Sequence, residues 1–476
     1  MPPRRSHDRV AIFAHIADRA DHRHHFVPAG LLDKERAASD QQVMSFAYGL
    51  RYLKRPEAFD VDPRALSLAR ARERPGTRWY PSAGLDEFGG IRDAAPDAWG
   101  RRVIEARLNA APNSLDEFTY LLEAGSDRVG ALDVREALDA PTRNPAGNLA
   151  SLPYLLQAAA AVDAGEPVPG HLIPYLGGAP SAGGARPKAS LRDEDGVLWL
   201  AKFPARNDAY DMAVVEAGAL DLARAAGLTV PPLRVLAVGA QRVLLVRRFD
   251  RYWAPAGQPL PVGSRGYDSR PQAGFTEGRI PQASALTMMG CPEIDSAAKG
   301  YRDLAQTIRE QVAPACIAAD NEELFARMAL NIFVNNDDDH LRNHAFSYDA
   351  QLSGWRLSPL YDVVPRPTVA RERRLHLSVG LQGKLATLDN AMSEFAAFVP
   401  DKPAALAVIR RVWGAVRSWK QVFEAHGATP SLIRTLEQAI RPLSDIASPE
   451  LERELRRHPP APPGAPSKKM VQYPMP

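Results

Sequence analysis

The stretch NNDDDHLRNHAF (residues 335–346) sets three consecutive carboxylates, Asp337, Asp338 and Asp339, directly before His340, Asn343 and His344. Adjacent like charges repel and resist burial, yet apolar segments lie on both sides of them. A metal ion, a phosphate partner or a catalytic proton transfer would each hold such a group together. Upstream, ELFARMALNIFVNN carries Leu324, Phe325, Met328, Ile332 and Phe333 at helical spacing, which predicts a helix with one apolar face running into the carboxylates. Downstream, GWRLSPLYDVVP alternates through Trp355, Arg356 and Leu357 and supplies Asp362 near the end of a strand.

Asp338 and Asn343 stand in the arrangement D-x-x-x-x-N. In protein kinases this spacing puts a carboxylate on the attacking hydroxyl and an amide oxygen on Mg²⁺ within one short loop. Spacing to Asn343 selects Asp338 over its two neighbours as the base. Asp362 is then the expected second metal carboxylate. Phosphoryl transfer also needs a lysine on an early strand, and VLWLAKFP supplies Lys202, with Glu216 on the following helix to orient it. SAGGARPKAS, just before that strand, is the phosphate-loop candidate, because glycines let backbone N–H groups approach oxygens and Arg186 and Lys188 add charge. Each part alone has a plainer reading: a surface lysine, a solvated glutamate, a helix-capping aspartate, a flexible linker. The order of all of them is much rarer than any one. His340 and His344, four apart, also suit zinc, but the glutamate of H-E-x-x-H is absent. DHRHHF (21–26) reads as a solvated turn.

The rest of the chain sets bounds. With 476 residues, 45% of them hydrophobic, it has material for two or more packed domains. Its 59 basic and 56 acidic residues leave a net charge of +3, unlike a protein that coats nucleic acid. Two cysteines, Cys291 and Cys316, form neither a disulfide framework nor a metal spacing, which fits a reducing, cytosolic setting. No run of apolar residues is long enough to span a membrane. RVAIFAHIAD, HHFVPAGLL and VMSFAYGLRYL read as strands; DAWGRRVIEARLN, LDEFTYLLEAG, YDMAVVEAGALDLARAAGL, LAVIRRVWGAVRSWKQVFEAHG and SLIRTLEQAI read as helices. Residues 252–285 are Gly/Pro-rich and read as an irregular, mobile loop, and the Pro-rich tail as disordered.

GGARPKA, WLAKFP, LLVRRFDR, NNDDDHLRNHAF and LSPLYDVVP, in this order, resemble the HipA family of serine/threonine kinases, toxin components of bacterial toxin–antitoxin pairs. The likeness is strongest over residues 180–365 and weaker in DAAPDAWGRRVIEARLN and LLEAGSDRVGALDV upstream. It implies an α+β, two-lobed, protein-kinase-like fold: a β-rich N-terminal subdomain (1–145), an N-lobe-like region (146–270), a helical C-lobe (271–457) and a disordered tail (458–476). By motif position Asp338 corresponds to the catalytic base, Asn343 and Asp362 to the Mg²⁺ ligands, and Lys202 to the lysine on the ATP phosphates. Ala182, Gly183, Gly184, Ala185, Arg186 and Lys188 match a phosphate-contacting loop whose autophosphorylated serine would be Ser181. His340 would lie near the phosphates, and the backbone from Arg247 to Phe249 would meet adenine. Arg247 stands where many relatives carry an acidic or neutral residue. The resemblance further implies an acceptor such as an aminoacyl-tRNA synthetase, and a HipB-like helix-turn-helix antitoxin through which DNA is met indirectly. Two rivals stand beside it, an inactive kinase-like scaffold for an antitoxin–DNA complex and a metal-dependent hydrolase.

Overall fold

The computed structural model describes residues 8–36, 42–143, 146–176, 183–457 and 471–472. The chain divides into two compact units that are not contiguous in sequence: residues 1–206, 247–292 and 347–353 form the first, and residues 207–246, 293–346 and 354–476 the second.

The first unit is built on a four-stranded antiparallel sheet. Arg9–Asp18 and Arg23–Arg36 are its inner strands, Gln42–Tyr48 and Leu132–Arg135 its edges. Residues 10–14 are buried throughout because this strand lies inside the sheet. Ile12 pairs with Gly30 and Phe13 with Pro28, so the register slips by one residue there. Proline has no N–H for the ladder, which suits it to an irregular position. Phe46, Tyr48, Tyr52, Phe88 and Phe118 fill the core beside this sheet. The third predicted strand stops at Tyr48, and its last residues turn into the short helix Leu50–Leu53. Ala98–Leu108 is helical, capped by the Asp97 carboxylate and ended by Asn109 in the left-handed region at φ +51°. Farther along, Lys188–Arg192 and Leu198–Lys202 form an antiparallel hairpin that places Lys188 directly opposite Lys202.

The irregular loop expected over residues 252–285 is corrected at both ends. Arg251–Pro255 and Phe275–Arg279 pair antiparallel, with Tyr252 opposite Gly278. A Cβ at Gly278 would fall 2.1 Å from the Tyr252 ring. The glycine that made the segment look irregular is there to admit the tyrosine.

The second unit is mostly helical. Ile317–Val334 is buried on every side over its last three turns, not on one face as its apolar spacing suggested. Arg327 lies fully buried within it and donates to the Ser358 carbonyl at 2.5 Å. Lys402–Val416 and Trp419–Ala425 are two helices where one long one was expected. Met212–Ala225 packs against the second of these, and Leu233–Val238 pairs with Gln241–Arg247. Among the described residues no helix is long and apolar enough to cross a membrane. The tail, apart from the two-residue strand Val471–Gln472, lies outside the described residues.

Candidate active site

Helix Ile317–Val334 ends at Asn335, which adopts φ +54° as a left-handed cap and directs the chain into the carboxylates. The three aspartates then part company. Asp339 is buried, with Tyr301 Oη donating to its Oδ2 and His344 Nε2 at 3.0 Å from the same oxygen. Tyr301 also accepts from Asn331 Nδ2 at 3.1 Å, and Asn331 Oδ1 accepts from Asn336 Nδ2 at 3.0 Å. This buried chain of polar groups fixes the loop from beneath. Burial pushes the Asp339 carboxyl up, but the contacts of His344 and Tyr301 outweigh it and hold it below the usual range. The same burial, with Asp339 adjacent, drives the Tyr301 hydroxyl well above its ordinary value.

Asp337 and Asp338 remain at the surface, their side chains 40% and 50% exposed, and they share one cation. Arg366 places Nη2 2.6 Å from Asp338 and Nε 3.3 Å from Asp337. Burial raises the Asp337 carboxyl, with Arg366 opposing and Asp338 reinforcing the rise. Asn343 donates its Nδ2 to the Asp338 carbonyl at 2.9 Å, so its own Oδ1 is the atom left to serve as a ligand. Asp362 sits at φ +60°, a conformation few non-glycine residues adopt, and such strain collects at functional sites. Its segment is stitched to the same turn: Val364 donates to Asn336 Oδ1 at 3.4 Å and Arg366 to the Asn335 carbonyl at 3.1 Å. Asp338, Asn343 and Asp362 thus come from segments bonded to one another. All three offer oxygen, the donor set of a hard cation such as Mg²⁺. His340 packs edge-on against His376 with ring centroids 5.9 Å apart. Among the described residues the group with metal-holding geometry is Asp18, Asp21 and His25, and it does not include His340 and His344. Asp18 there already accepts from Arg55 at 2.8 Å.

The nucleotide-side candidates lie in the first unit, except His340 and Glu216 of the second, the latter buried in the helix Met212–Ala225. Gly183 and Gly184 take φ of +83° and +92°, open only to glycine at little cost. Ala185 and Arg186 follow them in the same bend, exposed. Lys188 is buried and bonds to Asp97 and to the Gly183 carbonyl. Lys202 ends its strand half-buried. Arg247 is buried and donates to the Ser269 carbonyl, while Phe249 is half-buried with Gly266 packed on its carbonyl. Ser181 and Ala182 lie outside the described residues. Sequence reasoning missed Arg366, Asp97 and the Asn336–Asn331–Tyr301–Asp339–His344 chain. Arg366 and the asparagines adjoin the motif and were open to notice, but nothing local marks Tyr301 or Asp97.

The comparisons with known proteins agree on class. A chain of the Shewanella oneidensis MR-1 toxin–antitoxin complex of HipA, HipB and operator DNA superposes with a TM-score of 0.55 at 15% identity, over 91% of this chain and 95% of that one. The Helicobacter pylori proinflammatory kinase CtkA gives a TM-score of 0.39 at 13% identity, over 54% of this chain and 88% of that one. The likeness to the Shewanella chain, with the sheets and helices described above, makes the fold an α+β one shared with that HipA complex. The family described as "HipA-like C-terminal domain" matches residues 180–420. A Sinorhizobium fredii (strain NBRC 101917 / NGR234) protein named "Putative kinase Y4mE" is 27% identical over 351 residues, 68% of this chain and 74% of that protein. The chain belongs to the HipA-like C-terminal domain family.

Proposed function

We propose that this chain is an ATP- and Mg²⁺-dependent serine/threonine protein kinase of HipA type. The observation that carries the reading is the parting of the aspartates: Asp339 is buried to hold the loop, while Asp338 stays half-exposed with Asn343 tied to its carbonyl. Asp338 accepts the proton of the acceptor hydroxyl as it attacks. Asn343 Oδ1 and the Asp362 carboxylate are the atoms that would hold Mg²⁺, whose charge would offset that of the phosphates. Lys202, with backbone N–H groups of residues 183–186, grips the phosphates, and His340 lies beside them. The backbone at Arg247 to Phe249 receives adenine. Ser181 is the proposed autophosphorylation site. The solved neighbour from Shewanella contains HipB and operator DNA; by that likeness a helix-turn-helix antitoxin is the proposed partner, with DNA met through it. The reaction takes place in the cytosol, and an aminoacyl-tRNA synthetase is the acceptor to try first.

Intact-mass spectrometry after incubation with Mg-ATP tests this. Wild type should gain phosphate, and Asp338→Asn should lose at least about 10²-fold in rate while remaining folded. Labelling of Asp338→Asn at the wild-type rate would sink the assignment. A wild type that neither gains phosphate nor binds Mg-ATP by calorimetry would favour the scaffold.

A further inference from the structure

We propose that the buried Asp97–Lys188 ion pair clamps the closing end of the glycine loop, making Lys188 a positioning residue for the nucleotide phosphates and not one of their ligands. An ammonium has three donors. One Lys188 donor goes to Asp97 Oδ2 at 2.9 Å and another to the Gly183 carbonyl. The side chains of the pair are only 4% and 7% exposed. Turning the ammonium toward a phosphate would break this buried ion pair, which is costly in a protein interior. Asp97 is itself fixed, because its other oxygen caps the helix Ala98–Leu108 through the Gly100 N–H at 2.8 Å.

The same helix start makes two further ties. The Trp99 backbone N–H donates to the Gly184 carbonyl at 3.4 Å, and its indole N–H to the Lys188 carbonyl at 2.8 Å. Trp99 is fully buried, so these bonds have a rigid origin. A Cβ on Gly184 would sit 3.3 Å from Lys188 Nζ, so glycine there also makes room for the ammonium. Lys202, directly opposite Lys188 in the hairpin, is relieved of a like-charged neighbour by Asp97 and remains the lysine for the phosphates.

The inference rests on the nucleotide reading of this loop, and two readouts on the full chain separate the two. One is hydrogen exchange at amides 183–188 without nucleotide; the other is Mg-ATP affinity by calorimetry. The variants are Asp97→Asn, which keeps a good helix cap, Lys188→Met, and the double substitution. Each single change should speed loop exchange and weaken Mg-ATP binding about tenfold, with the double no worse than either, as for two parts of one device. KM for ATP should rise with kcat unchanged. If Asp97→Asn binds Mg-ATP like wild type while Lys188→Met does not, Lys188 is a direct ligand and the proposal fails. Unchanged exchange in both variants also overturns it. Should Lys188→Met not fold, the Asp97→Asn affinity and exchange decide alone. If exchange responds to both substitutions in a wild type that binds no Mg-ATP, the clamp stands and the nucleotide reading falls.

Discussion

At Asp339, burial and hydrogen bonding pull the carboxyl in opposite directions, and the contacts with His344 and Tyr301 win. A carboxylate held below its unfolded value of about 4 adds stability that is fully present above that pH and lost as the pH falls through the lower, folded value. Asp339→Asn should therefore flatten the acid limb of the stability profile below about pH 4 and cost about 3–5 kcal/mol at neutral pH, as breaking a buried charged contact does. Urea unfolding at a series of pH values measures both. The window is clear of Asp60, which burial pushes up to about 6, and of Glu87, which burial and nearby Glu117 push up to about 7. Raised carboxyls have the reverse sign: they lose stability as the pH rises from about 4 through those values. An unchanged acid limb in Asp339→Asn would mean that the buried chain beneath the loop is not what holds it.

Between elements, Gly218 marks the contact of helix Met212–Ala225 with helix Trp419–Ala425. Alanine in place of a mid-helix glycine usually gains about 1 kcal/mol. Here an added Cβ would fall 2.8–2.9 Å from three ring carbons of the fully buried Phe423. Overpacking costs about 1–3 kcal/mol, so Gly218→Ala should be net destabilising, with a lower urea midpoint at unchanged slope. A raised midpoint would show that the helices have room to part. Elements such as these were legible where one period ran uninterrupted, as in RVAIFAHIAD and ELFARMALNIFVNN. The hairpin at Tyr252 and Gly278 was not legible, because its glycine serves a residue on the other strand and a sequence window sees only a breaker. The same logic governs the site. Asp338, Asn343 and Asp362 were readable as candidates from their order along the chain, although Asp362 lies five residues past the strand Gly354–Leu357 and not at its end. Tyr301 and Asp97 were not, because they act through tertiary contacts with residues far along the chain.

At the scale of the whole molecule, each unit is assembled from three stretches of chain, so no single cut releases either intact. The consequence is sharpest in the first unit, where residues 247–292 complete a buried charge network begun by residues 127–135. The Asp250 carboxylate takes Arg248 at 2.5 and 2.8 Å, Arg251 at 2.6 Å and the Gly130 N–H at 2.8 Å. The Arg128 carbonyl accepts from Arg248 at 3.1 Å and Arg251 at 2.8 Å, while Asp127 faces Arg279 at 3.6 Å. Arg248 and Arg251 outweigh the burial that would raise Asp250 and hold its carboxyl far below the ordinary range. Removing residues 247–292 takes Arg251 and Arg279 from Asp127 and both arginine donors from the Arg128 carbonyl; a broken buried charged pair costs about 3–5 kcal/mol, against a total stability of only about 5–15 kcal/mol for a domain. A fragment of residues 1–206 should therefore show no cooperative thermal transition, even though it contains the whole four-stranded sheet and the helix Ala98–Leu108. In the full chain, Asp250→Asn should reproduce the defect in milder form, losing the charge while keeping an acceptor for Gly130. Calorimetry on both decides. A sharp transition in the fragment would mean that the sheet and its apolar core suffice, and that the arginines of residues 247–292 only decorate a unit already able to fold.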